Sequence, residues 1–364
     1  MLETDVGRLA FTEEQRQAAQ SLVDIQNEKN AASSTTNPES VVPTTSALKQ
    51  EVRGLINYKL SCCVNALLQS FSATTELLDI LNKWHPSDGI DKNNVPLQLK
   101  NTLEAMRDKS YPAPHKDFLN CLYRQAIQRF TQQDADEIFH IILSLSKKQI
   151  ADAALAQEIS SLYEIKVETQ VGCLNCKFIQ RMPNSLFSLP LAICERENSL
   201  ESCINSFFQP QMLTDSEVVY CDKCEKKQPS TYVVKLVSLP PILCVHLKRF
   251  RNDEGFTRKL YDKVTFPETF STAIFAAGQS ENADCLKANE DYSLYAVVVH
   301  MGTIMSGHYT AFISSNQGWY YADDSCVQPS TWTDVQGTYG GYRQHYGETA
   351  YLLLYRKNCR NSSG

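Results

Sequence analysis

The chain has 364 residues, 43% hydrophobic and 21% charged, with a formal net charge of −6. This supports a buried core in one large or two ordinary soluble domains, and the acidic balance argues against a nucleic-acid binder. No apolar run approaches the roughly 20 residues of a membrane span, and MLETDVGRLAF lacks the basic-then-apolar pattern of a signal peptide, so a cytosolic or nuclear protein without membrane insertion is expected.

Thirteen cysteines in such a compartment read as free thiols, metal ligands or a nucleophile, not disulfides. Residues 1–50 are peripheral. Thr12-Glu13-Glu14-Gln15 has capping-box spacing and would open a polar helix reaching about Glu28. Residues 31–47, rich in Ser, Thr and Pro, read as a flexible linker. A disordered tail and a docking segment that folds on a partner both fit this region.

GLINYKLSCCVNALLQSF (Gly54–Phe71) follows. Val64, Leu67, Leu68 and Phe71 recur at i, i+3, i+4 and i+7, the pattern of a helix with one apolar stripe. Cys62 falls in its first turn, where unpaired N–H groups and the helix dipole favour a thiolate. A small buried, inert cysteine is the alternative. Further helical runs are expected over Phe71–Trp84, Val95–Arg107 and Lys116–Gln125, with loops near Pro86–Gly89 and Tyr111–Pro114. The next helix should start near Gln132 or Gln133 and carry an acidic first turn, as the dipole prefers. On it Gln133 and Glu137 share a face, as do Gln132 and Asp136.

Two-fold alternation then appears over Ser161–Gln170 and leads into Cys173-Leu174-Asn175-Cys176. A second pair is Cys221-Asp222-Lys223-Cys224. Two CxxC pairs on strand-ending turns make a tetrahedral sulfur cage for structural zinc, closed and non-catalytic because all four ligands are thiolates. Such a site would staple two β-fingers with little core of their own. Cys194 and Cys203 have the wrong spacing and read as core.

Pro241–Phe250 (PILCVHLKRF) is an apolar strand, and the continuous pattern makes His246 a packing residue rather than a base. Asn252–Gly255 turns into Phe256–Leu260, Phe270–Asn289 reads as a loop or short insertion, and Tyr292–His300 is a buried strand. In Ser306–Ile313, Gly307 would let backbone and substrate come close to His308. Trp319–Ser325 follows a turn at Asn316-Gln317-Gly318. If the two strands are antiparallel neighbours, Asp323 returns beside His308, where a carboxylate can hold the imidazole tautomer. Thr349–Tyr355 is a final strand that closes the sheet. His345, in the loop before it, has no assigned role.

Four stretches resemble the boxes of the ubiquitin-specific protease family. Gly54, Leu55, Asn57, Cys62, Asn65, Leu68 and Gln69 match its cysteine box GLxNxGNTCYMNSxLQ, with Lys59 and Leu60 in place of Gly-Asn and Ser61 in place of Thr. QQDADEIF is similar to its QQDAxEFL glutamine box, HLKRF to the strand of that sequence, and SGHYTAF with WYYADD to SGHYTAY…WYxFDD. AYLLLY also matches its C-terminal AYxLxY strand.

The resemblance implies an α+β fold, a papain-like cysteine protease. Its catalytic domain would span residues 51–358, with a helical thumb (about 54–160), zinc-bearing β fingers (about 161–240) and a β-sheet palm (about 241–358). Residues 1–50 and the 359–364 tail lie outside it. The implied triad is Cys62, His308 and Asp323. Asn57 and the Cys62 N–H would stabilise the oxyanion, and Asp324 would assist there or through a water. Gln132, Asp134, Glu137 and Tyr309 would hold the extended basic tail of the substrate. The implied activity is removal of ubiquitin or a ubiquitin-like modifier from lysines of conjugated proteins. The Cys62-Cys63 doublet, Ser206–Pro210, the near-absence of insertions and the Gly337–Tyr355 tail resemble a compact branch. That branch acts on the interferon-induced two-domain modifier, implying interferon-signalling partners. A Lys where Gly is usual threatens a tight turn, so the alternative is a catalytically weak scaffold that binds a ubiquitin-like protein or a signalling receptor complex.

Overall fold

The computed structural model describes residues 52–86, 91–107, 115–129, 131–194, 198–214, 217–253, 256–278, 290–303, 306–341 and 347–358. The expected helix and linker of residues 1–50, the Tyr111–Pro114 loop, His345 and the 359–364 tail lie outside the described residues.

Helices come first: α1 (Cys62–Ala73), α2 (Thr75–Lys83), α3 (Val95–Arg107), α4 (Lys116–Gln125), α5 (Ala135–Gln149) and α6 (Ala153–Tyr163). Next are β1 (Ile165–Cys173), β2 (Ile179–Leu186), β3 (Leu189–Ala192), β4 (Asn198–Ser199), α7 (Leu200–Phe208), β5 (Gln211–Leu213), β6 (Val219–Cys221), β7 (Lys226–Gln228) and β8 (Ser230–Ser238). Then come β9 (Ile242–Lys248), the hairpin β10 (Phe250–Asp253) and β11 (Phe256–Lys259), β12 (Val264–Thr265) and β13 (Thr269–Ser271). The chain finishes with β14 (Asp291–Gly302), β15 (Gly307–Ser315), β16 (Gly318–Asp323), β17 (Cys326–Ser330), α8 (Trp332–Gln336) and β18 (Thr349–Lys357).

The large sheet runs β17-β16-β15-β14-β18-β9-β3, with β13 also paired to β14. Its central strands read as near-continuous apolar runs because both faces are covered. Alternate residues feed two separate cores. Cys244, Ala296, Val298, Leu352 and Leu354 pack with the helices, while Leu243, Val245, Val297, Val299 and Leu353 pack with α7 and its surroundings. A second sheet, β2-β1-β8-β5, extends from this body. β2 is exposed along nearly its whole length, as expected of an element with little core of its own.

Several expectations change. Residues 62–71 of α1 are all buried, so α1 is a central helix rather than one with a single stripe. The run from Phe71 to Trp84 is broken at Thr74, whose buried hydroxyl bonds Ser70 O at 2.9 Å and lies 2.7 Å from the Tyr295 hydroxyl. Residues 161–163 complete α6, and the strand begins at Ile165. The Phe270–Asn289 segment starts with the end of β13 and a 3₁₀ helix over Thr272–Gly278. Cys203 is buried but Cys194 is exposed. β18 does not close an edge; it lies between β14 and β9, in the middle of the sheet.

Arg249, just after β9, is fully buried. Its guanidinium donates to the carbonyls of Ala350 (2.7 Å), Leu260 (3.0 Å), Asp262 (3.0 Å) and Tyr339 (3.2 Å). Burial holds it down to about 10. One side chain thereby ties β18 to two connecting segments. Arg249→Met keeps the bulk but orphans these carbonyls, each worth about 1–3 kcal/mol when buried without a partner. The urea midpoint should drop by an amount equivalent to more than about 3 kcal/mol, with an unchanged m-value; a drop under about 1 kcal/mol would refute the tie.

Candidate active site

The site lies where α1 meets β15 and β16. Cys62 heads α1, which has no acidic residue in its first turn and no side-chain cap. His308 is the second residue of β15, and Asp323 ends β16. β15 and β16 are antiparallel neighbours. His308 Nε2 is 2.6 Å from Asp323 Oδ1, leaving the other ring nitrogen for the Cys62 thiol, which is near enough to shift the ring's titration. Burial alone would lower His308. The hydrogen bonds to Asp323 and Cys62, and the charges of both, outweigh it and raise the imidazole to about 11. The ring therefore stays protonated through neutral pH. Burial and the charge of Cys62 push Cys63 well up, which keeps it a thiol. Only one member of the doublet is poised to react.

Asp324 bonds to the oxyanion side of the site through Asn57. Its carboxylate accepts from Asn57 Nδ2 (2.8 Å) and Asn65 Nδ2 (2.7 Å), and its carbonyl accepts from Leu55 N (2.8 Å). Asn57 Oδ1 takes the Ser61 N–H at 3.1 Å, and one Nδ2 hydrogen remains for an oxyanion beside the Cys62 amide. Gly54 lies against the Ser325 backbone, where a Cβ would collide with the carbonyl. Asn65 matched the cysteine box without drawing a role. A buried amide on an apolar helix was the available signal, since such groups must find partners.

Lys59 and Leu60 do not abolish the tight turn. Both adopt left-handed φ, 54° and 65°, at about 1–2 kcal/mol each for non-glycine residues.

The proposed tail-binding set is largely occupied. Helix α5 starts at Ala135, not at Gln132 or Gln133, and Asp134 is its cap, accepting from Asp136 N and Glu137 N. The other Asp134 oxygen accepts from the Tyr351 hydroxyl. Tyr309 is buried, with its ring 4.7 Å from His300 and 5.9 Å from Tyr351. Gln132 grips the Gly307 backbone at both ends: Oε1 accepts the Gly307 N–H at 2.9 Å and Nε2 donates to its carbonyl. Glu137 alone of the four presents an exposed side chain. Gly307 is required by His300 rather than by substrate, because a Cβ there would fall on the buried His300 ring.

His246 is more than packing. Its Nδ1 is 3.0 Å from Asp136 Oδ2. Asp136 also accepts from Ser188 Oγ (2.6 Å), itself 2.9 Å from His140 Nε2. This polar group sits apart from Cys62 in chain and partners.

At the far end of β1, the ligand atoms of Cys173, Cys176, Cys221 and Cys224 lie within 4.8 Å of one another. The residue after each pair, Lys177 and Glu225, takes a positive φ, so both turns fold their amides toward sulfur. Backbone N–H groups of Cys176 and Asn175 hold Cys173 down to about 7 against a smaller opposing effect of burial. Four convergent sulfurs are a donor set that fits a metal ion.

The sequence profile of the ubiquitin carboxyl-terminal hydrolase family matches residues 53–355. The human protein named Ubl carboxyl-terminal hydrolase 18 is 32% identical over 314 residues, 84% of each chain. Its mouse namesake is 32% identical over 84% of this chain and 85% of its own. Ubiquitin carboxyl-terminal hydrolase 47 of Drosophila melanogaster is 25% identical over 90% of this chain but only 26% of its own length.

Gln132 reaches His308 through Gly307. Gln132→Ala should slow alkylation of Cys62 by iodoacetamide, followed by mass spectrometry, by an order of magnitude or so, the scale for a misplaced catalytic group. Iodoacetamide never touches a tail-binding groove. Unchanged alkylation with a raised KM for a protein substrate would mean that Gln132 serves the substrate instead.

Proposed function

Because the chain belongs to the ubiquitin carboxyl-terminal hydrolase family and is a cysteine-type hydrolase, we propose that it removes a ubiquitin-like modifier from lysine side chains of conjugated proteins. The observation that carries this is the meeting of Cys62, at the head of α1, with the His308–Asp323 pair, whose Nε2 and Oδ1 are 2.6 Å apart and whose ring the Cys62 sulfur is near enough to perturb. A thiol-bearing helix facing a sheet that carries base and carboxylate is the papain-like arrangement, and such triads are recognised by roles rather than by chain order.

The Cys62 thiolate, its proton held on His308, attacks the carbonyl of the modifier's terminal residue. The oxyanion is met by the Cys62 N–H and the free Asn57 hydrogen, a contribution of about 10²–10³ in rate per donor in comparable sites. His308 protonates the departing lysine amine, and water then releases the thioester. Asp323 keeps the ring oriented. Exposed Glu137 faces the basic tail, since a carboxylate opposite Arg gives charge-assisted hydrogen bonds. The relatives named for Ubl hydrolysis support a ubiquitin-like substrate over ubiquitin itself. The two-domain, interferon-induced modifier and a role in damping interferon signalling extend that reading, as does a cytosolic or nuclear location. The scaffold alternative drew on Lys59 and Leu60, and that support falls away because both residues keep the turn.

We assign zinc to the four-cysteine cluster, held by Cys173, Cys176, Cys221 and Cys224. Bound there, it would supply only a cross-link between β1 and the β6–β7 hairpin.

Cys62→Ala should abolish cleavage of modifier conjugates while leaving their binding intact; residual turnover above about 1% of wild type sinks the assignment, because removal of a triad nucleophile costs far more than a hundredfold. Electrophilic C-terminal probes of the two-domain modifier and of ubiquitin, run side by side, should label Cys62 with preference for the former. Purified protein should contain one zinc per chain by elemental analysis, and Cys221→Ser should lose it. Metal-free native protein with unaltered thermal stability would rule the cross-link out.

A further inference from the structure

A cavity of about 210 Å³ opens beside the nucleophile loop. One wall is Tyr58 and Lys59. The other is a single face of α4, with Lys116, Leu119, Asn120 and Tyr123 at i, i+3, i+4 and i+7. Arg129 completes it. Leu119 is buried and forms an apolar floor, whereas Lys59, Lys116 and Arg129 are exposed. No acidic side chain lines the cavity. Arg129 lies 5.3 Å over the Tyr123 ring and 3.5 Å from Asn120 Oδ1. Neither Arg129 nor Lys116 has a carboxylate partner among the described residues.

Lys116 and Arg129, with Lys59 in the facing wall, thus place cationic side chains around a largely apolar, aromatic-walled cavity in a chain whose net charge is −6. The cavity is next to the chemistry. Tyr58 donates its N–H to Ser61 Oγ at 2.8 Å, one residue before Cys62. Lys59 is held there at a left-handed φ of 54°, where the family's box has Gly.

We propose that this cavity binds an acidic side chain, carboxylate or phosphate, of the conjugated protein close to the modified lysine, and so selects among conjugates. The inference rests on the isopeptidase reading above. Charge decides which partner is meant. The modifier's tail is basic and suits the exposed carboxylate of Glu137; three cations would repel it. The departing protein is the partner left to supply an anion, and Arg and Lys are the natural donors for carboxylate and phosphate oxygens.

The test uses the full chain and the two-domain modifier joined through its C-terminus to the lysine of a fluorescent peptide. Four peptides differ only in the residues flanking that lysine: glutamates, phosphoserines, alanines or lysines. Binding is read by fluorescence polarisation on Cys62→Ala protein, and kcat/KM on active protein. Glutamate and phosphoserine peptides should bind and turn over about threefold to tenfold better than alanine peptides, the scale of two exposed ion pairs, and the advantage should shrink with salt. Lys116→Glu with Arg129→Glu should erase or invert this order while leaving cleavage of the modifier's C-terminal rhodamine amide unchanged. Preference for phosphoserine alone would assign the pocket to phosphate, and equal preference to any acidic flank. Equal affinity of wild type for all four peptides, or an acidic preference that survives both substitutions, overturns the proposal. Failure of wild type to cleave the rhodamine amide would defeat the isopeptidase reading alone, since the polarisation comparison needs no turnover.

Discussion

Everything at this site depends on Asp324. It sits at a left-handed φ of 48° in the turn after β16, and one residue joins three segments far apart in sequence. Its carboxylate spans Asn57 in the nucleophile loop and Asn65 on α1, and its carbonyl takes the Leu55 N–H. Burial raises this carboxyl, while the amide hydrogen bonds and the charge of His308 oppose that shift. Because Asp323 is its neighbour, the clamp that locks the loop to the sheet also sets how far the orienting carboxylate stands from the imidazole. A papain-like centre is divided between a helix and a sheet, and needs such a bolt to hold atoms within tenths of an ångström.

A second seam supports the histidine from the other side. Gln132 pins Gly307 by both backbone groups, and the His300 ring lies beneath it. Burial and the nearby Lys259 charge hold His300 down to about 3, so it stays neutral and packs as a ring among Phe250, Tyr309 and Tyr351. The residues of the glutamine box therefore mostly build the wall of the cleft. Asp134 caps α5, Asp136 gathers His246 and Ser188, and Glu137 is left facing out. The acidic spacing on this helix serves folding first, because the first turn of any helix has unpaired N–H groups to satisfy.

The finger sheet follows a different logic. β2 buries almost nothing, while β1 and β8 bury Ile165, Val167, Val234 and Leu236 at the end nearer the body; the four-sulfur cluster lies at the other end of β1, beside the β6–β7 hairpin. The central sheet has the opposite problem: covered on both faces, it leaves few partners in solvent, and buried Arg249 makes four hydrogen bonds to backbone carbonyls.

Local pattern sufficed for a good deal. Helical periodicity located α3 and α4 to the residue, the CxxC pairs foretold four converging sulfurs, and the boxes around Cys62 and His308 picked out residues that the fold brings to one place. What they share is that spacing along a few residues carries the information. The pattern failed where the partner is remote. An apolar stripe on α1 cannot reveal that its polar face is buried too, because that depends on β15 lying over it. The position of β18 inside the sheet follows from its pairing with β14 on one side and with β9, about a hundred residues earlier, on the other. The contacts of Gln132 and Asp324 were likewise set by hydrogen bonds to residues more than a hundred positions away, and Tyr309 was covered by other elements, whereas the cap made by Asp134 is local. By itself the sequence determined which chemical groups exist and their local helical or extended setting. Tertiary structure alone decided which of those groups remain free, because a hydrogen bond already made inside the protein is one that a substrate cannot have.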